Sequence, residues 1–263
     1  MMKKIIAVSL LGIVSTVHAE SFEAKDHIML TDGQKNEMFT SRGLPLPGEP
    51  VKVVPATTLG EMGEKSARII KARKALVANK GYAEEDNFDA ARLYADIDRM
   101  RADVKANLDN TNPKQTHLRA SIDKLQMGYE FNQVPDVFIS EIIGFSPWGS
   151  YAQGIGWSGV GWNGAAEFFI PKDIPEALCI FNESNLTMTG GTATLFQEVV
   201  SKTINDKVSV VDISGNQRTA FSYKIDWWDG HFRHELECIQ KTYSKDTIGK
   251  VISIAKTLDN SIS

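Results

Sequence analysis

Alternation of apolar and polar positions is strongest between Phe221 and Cys238, where the chain reads FSYKIDWWDGHFRHELEC. Two runs of period two flank Asp229-Gly230, a dipeptide suited to a type I′ hairpin turn because both central positions need positive φ. The pairing starts with Trp228 opposite His231. It sets Trp227–Phe232, Ile225–His234, Tyr223–Leu236 and Phe221–Cys238 on an apolar face, against Asp226–Arg233 and Lys224–Glu235 on the other. A slip of one residue turns the apolar set to solvent. Upstream, Val208 to Ile213 leads through Ser214-Gly215-Asn216-Gln217 into this hairpin. Pairing across that loop puts Val210 against Phe221 and Val208 against Tyr223, on the same apolar face. The pattern therefore predicts a three-stranded antiparallel meander over residues 207–241.

A period of 3.6 appears in the first half. Thr58 with Glu61 forms a capping box, and Met62, Ile69, Leu76 and Val77 make the apolar stripe of a helix that stops at Gly81. A second helix starts near Asp86 or Asn87 and carries Leu93, Ile97, Met100, Val104 and Leu108. A third starts at Asn112-Pro113, has its stripe at Leu118, Ile122 and Leu125, and stops at Gly128. Short connections make this a helical hairpin plus one shorter helix. After Gly128, glycine and β-branched residues rise, and all five tryptophans fall between Trp148 and Trp228. Tyr151–Trp157, Ala165–Ile170 and Ala177–Phe181 are strand candidates. Thr194–Asn205 is read as a helix with Thr194 and Gln197 as its cap, and Asp246–Leu258 as a terminal helix. The fold class expected is α+β, with a helical section at 58–127 and an antiparallel β-rich section, meander or sandwich, at 128–263.

Composition adds a compartment. Lys3 and Lys4, the apolar run Ile5–Val14 and the small-residue site Val17-His18-Ala19 read as an export signal over residues 1–19. The run is too short to span a bilayer, and no later stretch is long enough. Residues 20–57 are aperiodic, and Pro45, Pro47, Pro50 and Pro55 mark an extended arm. Losing Lys3 and Lys4 takes the net charge from −4 to −6, a balance that argues against a nucleic-acid partner. The two cysteines, Cys179 and Cys238, are expected to form a disulfide in an exported chain.

Two stretches could carry chemistry. Gly144–Gly164 holds seven glycines and five aromatics. Such a stretch is either a stacking surface for a flat ligand, with Trp148, Tyr151 and Trp162 as contacts, or a glycine-lined strand with its tryptophans in the core. Its spacing matches no phosphate loop. The second stretch is Asp226, Asp229, His231, His234, Glu235 and Glu237. Its histidines are three apart, which puts them on opposite faces of a strand, so the set suits neither a zinc helix nor a shared metal. Catalysis would rest on Asp226, Asp229 and His231, and His234 reads as a hydrogen-bonded core histidine. No nucleophile elbow is present. The expectation is an exported, periplasmic or secreted binding protein of the bacterial envelope type, without cofactor or metal and with a protein or glycan partner. A secreted hydrolase at residues 226–237 and a membrane-acting protein using residues 144–164 are the alternatives.

Overall fold

The computed structural model describes residues 51–110, 112, 115–153, 160–189 and 191–261. The expected export signal, the arm as far as Pro50, and Trp157 lie outside the described residues. The chain divides into two compact units. Among the described residues, one is formed by 51–72 with 191–200, and the other by those from 73 to 189 with 201–261.

In the smaller unit, strand β1 (Val51–Val54) pairs in parallel with β6 (Ala193–Phe196). A 3-10 turn at Ala56–Leu59 leads into helix α1 (Gly60–Lys80), of which residues 60–72 belong to this unit. Both carboxylate oxygens of Glu198 accept the Ala56 N–H, at 3.0 and 3.1 Å. Gly63 lets the helix lie against the turn, since a Cβ there would stand 1.6 Å from the Ala56 carbonyl oxygen. Val54, Ala56, Ile70 and Phe196 form the core. Thr58 falls inside the 3-10 turn and makes no side-chain cap, so the expected capping box is not formed. Met62, Ile69 and Leu76 are exposed rather than buried, because α1 turns Gly63 and Ile70 inward.

The larger unit is built on an eight-stranded sheet, antiparallel apart from the short β2 (Ala83–Glu84). Its path runs from β2 through β8 (Lys207–Gly215), β9 (Phe221–Asp229), β10 (Phe232–Gln240), β5 (Leu178–Asn185) and β4 (Val160–Pro171) to β3 (Ile139–Gln153). Strand β7 (Ser201–Ile204) pairs with β8 off this path. One sheet face holds Phe169, Phe181, Tyr223, Ile225, Trp227 and Leu236. It is covered by Val251, Ile254, Ala255 and Leu258 of the terminal helix α4 (Thr247–Ser261) and by Leu125, Phe131 and Val134. The other face is covered around Ala166, Ile180 and Ile239 by α2 (Phe88–Ala95) and α3 (Ile97–Ala106). Cys179 and Cys238 face each other across β5 and β10 and are bonded.

The α+β class, the disulfide and the antiparallel meander at 207–240 agree with the sequence pattern. Several expectations are corrected. The second helix does start at Asn87, whose side chain accepts the Ala90 N–H, but it breaks at Asp96 into α2 and α3. Between Gln115 and Gly128 only Ile122–Lys124 is helical, as a single 3-10 turn. Arg119 there bridges Phe145 on the β3 edge through two backbone bonds, which an α-helix would forbid. Thr194–Asn205 forms β6 and β7 instead of a helix; its β-branched residues fit a ladder. The type I′ geometry sits at Asn205-Asp206, with φ of 40° and 63°.

The main hairpin turns one residue later than expected, on Gly230-His231. Gly230 has φ +57° and His231 is not left-handed, so the turn is not type I′. Asp229 thereby stays in β9 opposite Phe232. The pairing shifts by two places, which preserves the faces; Asp226 and Lys224 meet Arg233 and Glu235 diagonally. The loop before β9 falls at residues 216–220 rather than 214–217, and Asn216 closes it by accepting the Arg218 and Thr219 N–H groups. That moves β8 by an odd number of places. Val211 and Ile213 now join the face of Ile225 and Tyr223, and Val210 lies opposite Asp226.

Candidate functional site

Polar side chains gather on both faces of the sheet where β5, β10 and β9 run side by side. On the α4 face, His234 stands across from Glu183 on β5 and Trp227 on β9. Its ring lies 5.0 Å from that of Trp227 and is also stacked on Phe181 and Phe232. Nδ1 is 3.2 Å from a Glu183 oxygen and Nε2 is 3.0 Å from Asp229 Oδ2. Both contacts lie off the axis of the ring N–H, so they act as ion pairs more than as directed hydrogen bonds. Burial lowers the histidine's basicity, but bonds and charge from Asp229 and Glu183 outweigh it and hold the pKa above the ordinary value. Burial likewise raises the Asp229 carboxyl, and His234 and Lys207 reverse that to a net lowering.

The lattice extends in both directions. Lys207 Nζ lies 2.6 Å from Asp259 Oδ1 on α4, and Asn205 donates to the other Asp259 oxygen at 2.9 Å. Glu183 accepts from the Asn132 backbone at 3.1 Å and from its side-chain amide at 2.7 Å. One strand over, Glu167 accepts the Val134 N–H at 2.8 Å. Two buried glutamates thus hold the backbone of the segment that closes this face. His234, Glu183 and Glu167 are each 0 % exposed. A general base must touch the proton it takes, and a fully buried side chain cannot. The chemistry of this set is charge storage and fastening.

On the other face, Arg233 donates to Asp226 and Glu235, both at 2.6 Å, and Lys224 lies 2.6 Å from Glu235. Asn182 donates to Glu235 at 3.0 Å, and Ser222 to Glu237. Burial pushes the Asp226 carboxyl up to about 6 in spite of Arg233 and Lys224. Burial acts on Glu235 in the same sense, but those two cations bring it to a net lowering. The Arg233 guanidinium also stands over the ring of Trp148, 5.5 Å from its centroid. Trp148 is 37 % exposed and belongs to β3, which among the described residues ends the sheet and pairs within it with β4 alone.

No family model matches the chain, and no curated protein or solved structure is significantly similar to it. The site is therefore read from its geometry. Asp226, Asp229 and His231 do not converge. Asp226 lies on one sheet face, Asp229 meets His234 on the other, and His231 is exposed in the turn. Trp162, expected as a contact, is buried at 8 % exposure, with its backbone bridged to Gln126 and Gly128. Tyr151 packs edge-on against it, 5.5 Å between centroids. Of the three expected contact aromatics, Trp148 is the most exposed. Among the described residues no set of His, Cys, Asp or Glu could hold a metal ion, and no helix is long and apolar enough to cross a membrane.

The partners of His234 went unread in the sequence, although a signal was there. Glu183 and Glu167 alternate with Cys179 and Phe181, and with Ala165 and Phe169, so each carboxylate belongs to a core face.

Proposed function

We propose that this protein is exported and acts by binding a protein or glycan partner, not by catalysis. Its contact residue is Trp148. The observation that carries the reading is the combination of a half-exposed indole, a guanidinium fixed over its ring, and a place on the last strand of the sheet. Trp and Arg together give a large contact area at small entropic cost, which suits recognition of a flat or planar group. The basic and apolar start of the chain and the buried disulfide support an oxidising, exported setting. Against a hydrolase stand the sealed His234 cluster and the separation of Asp226, Asp229 and His231. The test is a glycan array and cross-linking in the native cells with wild type and Trp148→Ala. The variant is expected to lose capture and keep its melting temperature. Capture unchanged by the substitution would refute Trp148 as the contact.

A further inference from the structure

Trp148 and Arg233 end one cross-strand row. Trp148 on β3 pairs with Gly164 on β4, Gly164 with Ser184 on β5, and Ser184 with Arg233 on β10. The two end residues are three strands apart, about 14 Å at the backbone. Their side chains meet because only a glycine and a serine stand between them. A Cβ on Gly164 would itself lie 3.0 Å from the carbonyl oxygens of Trp148 and Glu183. Between Glu141 and Glu167 the sequence holds no charged residue, so this part of β3 and β4 brings no charge to the row. Arg233 is matched by Asp226 and Glu235, and Glu235 also by Lys224, which sets two cations against two anions. Those carboxylates take the Nε and Nη2 groups of Arg233. Arg233 Nη1 is not sealed from solvent, and neither it nor the Trp148 indole N–H has a hydrogen-bond partner among the described residues. The row therefore offers an indole and two spare donors, but no spare charge.

We infer that this row binds a neutral N-acetylated sugar, with its C–H face on the Trp148 indole and its acetamido carbonyl accepting from Arg233 Nη1. This rests on the Trp148 reading above and names its ligand. A pyranose ring is flat and apolar on one face and polar at its rim, which matches an indole beside hydrogen-bond donors. An acidic sugar fits badly: its carboxylate would be a third anion beside Asp226 and Glu235, against a guanidinium already neutralised by them. A cationic ligand fits badly too, because the ring already holds a cation. An extended peptide also carries amide carbonyls, but it would dock by adding a strand to the β3 edge. Three residues before Trp148 that edge is occupied, since Arg119 bonds both the N–H and the carbonyl of Phe145.

The test is calorimetric titration of the purified full chain with three probes at pH 7.5, above the value of about 6 to which burial pushes Asp226. The probes are tri-N-acetylchitotriose, cellotriose and trigalacturonate. The N-acetylated sugar is expected to bind best, and cellotriose about three- to tenfold more weakly, the worth of one hydrogen bond. Trigalacturonate should bind least. Trp148→Ala should abolish binding of tri-N-acetylchitotriose. Glu235→Gln keeps the shape of the site but leaves its cations in excess. It should raise affinity for trigalacturonate by about threefold or more and make that binding salt-dependent, a gain that misfolding cannot produce. Trigalacturonate preferred by wild type, cellotriose bound as tightly as the N-acetylated sugar, or a preference unmoved by Glu235→Gln would each overturn the inference. Failure of all three sugars would overturn it as well; if Trp148→Ala still loses its cross-linked partner, the Trp148 reading survives that failure.

Discussion

Glu167 offers the sharpest physical test of the fold. Its carboxyl is 0 % exposed among Phe145, Ala165, Phe169 and Phe181; one oxygen accepts the Val134 N–H and the other has no hydrogen-bond partner. Burial, with a smaller contribution from Asp136, pushes its pKa up to about 7 from an ordinary 4.5. An acid whose value is raised by folding contributes full stability below its unfolded value and loses it as pH climbs through the folded one. Ionising Glu167 within the fold should therefore cost about 3 kcal/mol by pH 8.5. Glu167→Gln removes that cost, and its buried amide N–H₂ returns about 1 kcal/mol of penalty. The variant should match or fall slightly below wild type at pH 4 and exceed it by about 2 kcal/mol at pH 8.5. Urea unfolding of both proteins at the two pH values measures the difference. A gap that does not change with pH, or a variant weaker at pH 8.5, would show that Glu167 is not a buried neutral acid.

Three further outcomes follow from the site. Against its burial, Asp229 and Glu183 raise the pKa of His234, so its contribution is present below pH 6.5 and lost as pH rises through its raised folded value. His234→Phe strands Glu183 and Asp229 and should cost about 3–5 kcal/mol at pH 6, and an NMR titration of His234 ending below 6.5 would contradict the lattice. Asp226 is 0 % exposed beside Arg233. Asp226→Ala should therefore destabilise at least as much as Gly230→Val, whose cost of about 1–2 kcal/mol is backbone strain, since nothing lies within 4 Å of an added Cβ; melting curves of the two variants decide it. Replacing both Cys179 and Cys238 with Ala should cost about 4 kcal/mol in urea unfolding, and a change under about 1 kcal/mol would mean that the bond scarcely constrains the unfolded chain.

What could be read from the sequence follows from which forces are local. The β9–β10 hairpin carries its own alternation and glycine, so its faces were legible even though the turn slipped by one residue. Asp229 is drawn out of the turn by His234 and Lys207, partners that a local pattern does not contain. Strand β8 was misread because it buries residues on both faces, Val210 and Ile213 alike, leaving no alternation to fix its register. Residues 194–204 divide between β6 in one unit and β7 in the other, so their apolar spacing reflects two separate surfaces rather than one helix. The stripe of α1 was legible as a stripe, but periodicity does not say whether a stripe is buried.

The bond between Cys179 and Cys238 joins residues 59 apart in sequence, and everything from β6 to β9 lies inside the ring it closes. That ring contains residues 191–200, the part of the smaller unit inserted between β5 and β7. A protease that cut the chain there would sever the backbone without releasing a fragment. The nicked protein would run as one band on a non-reducing gel and as two after reduction, and residues 201–261 would stay tethered to β5. The disulfide therefore makes the insertion a place where the backbone can be broken while the sheet keeps all of its strands in one molecule.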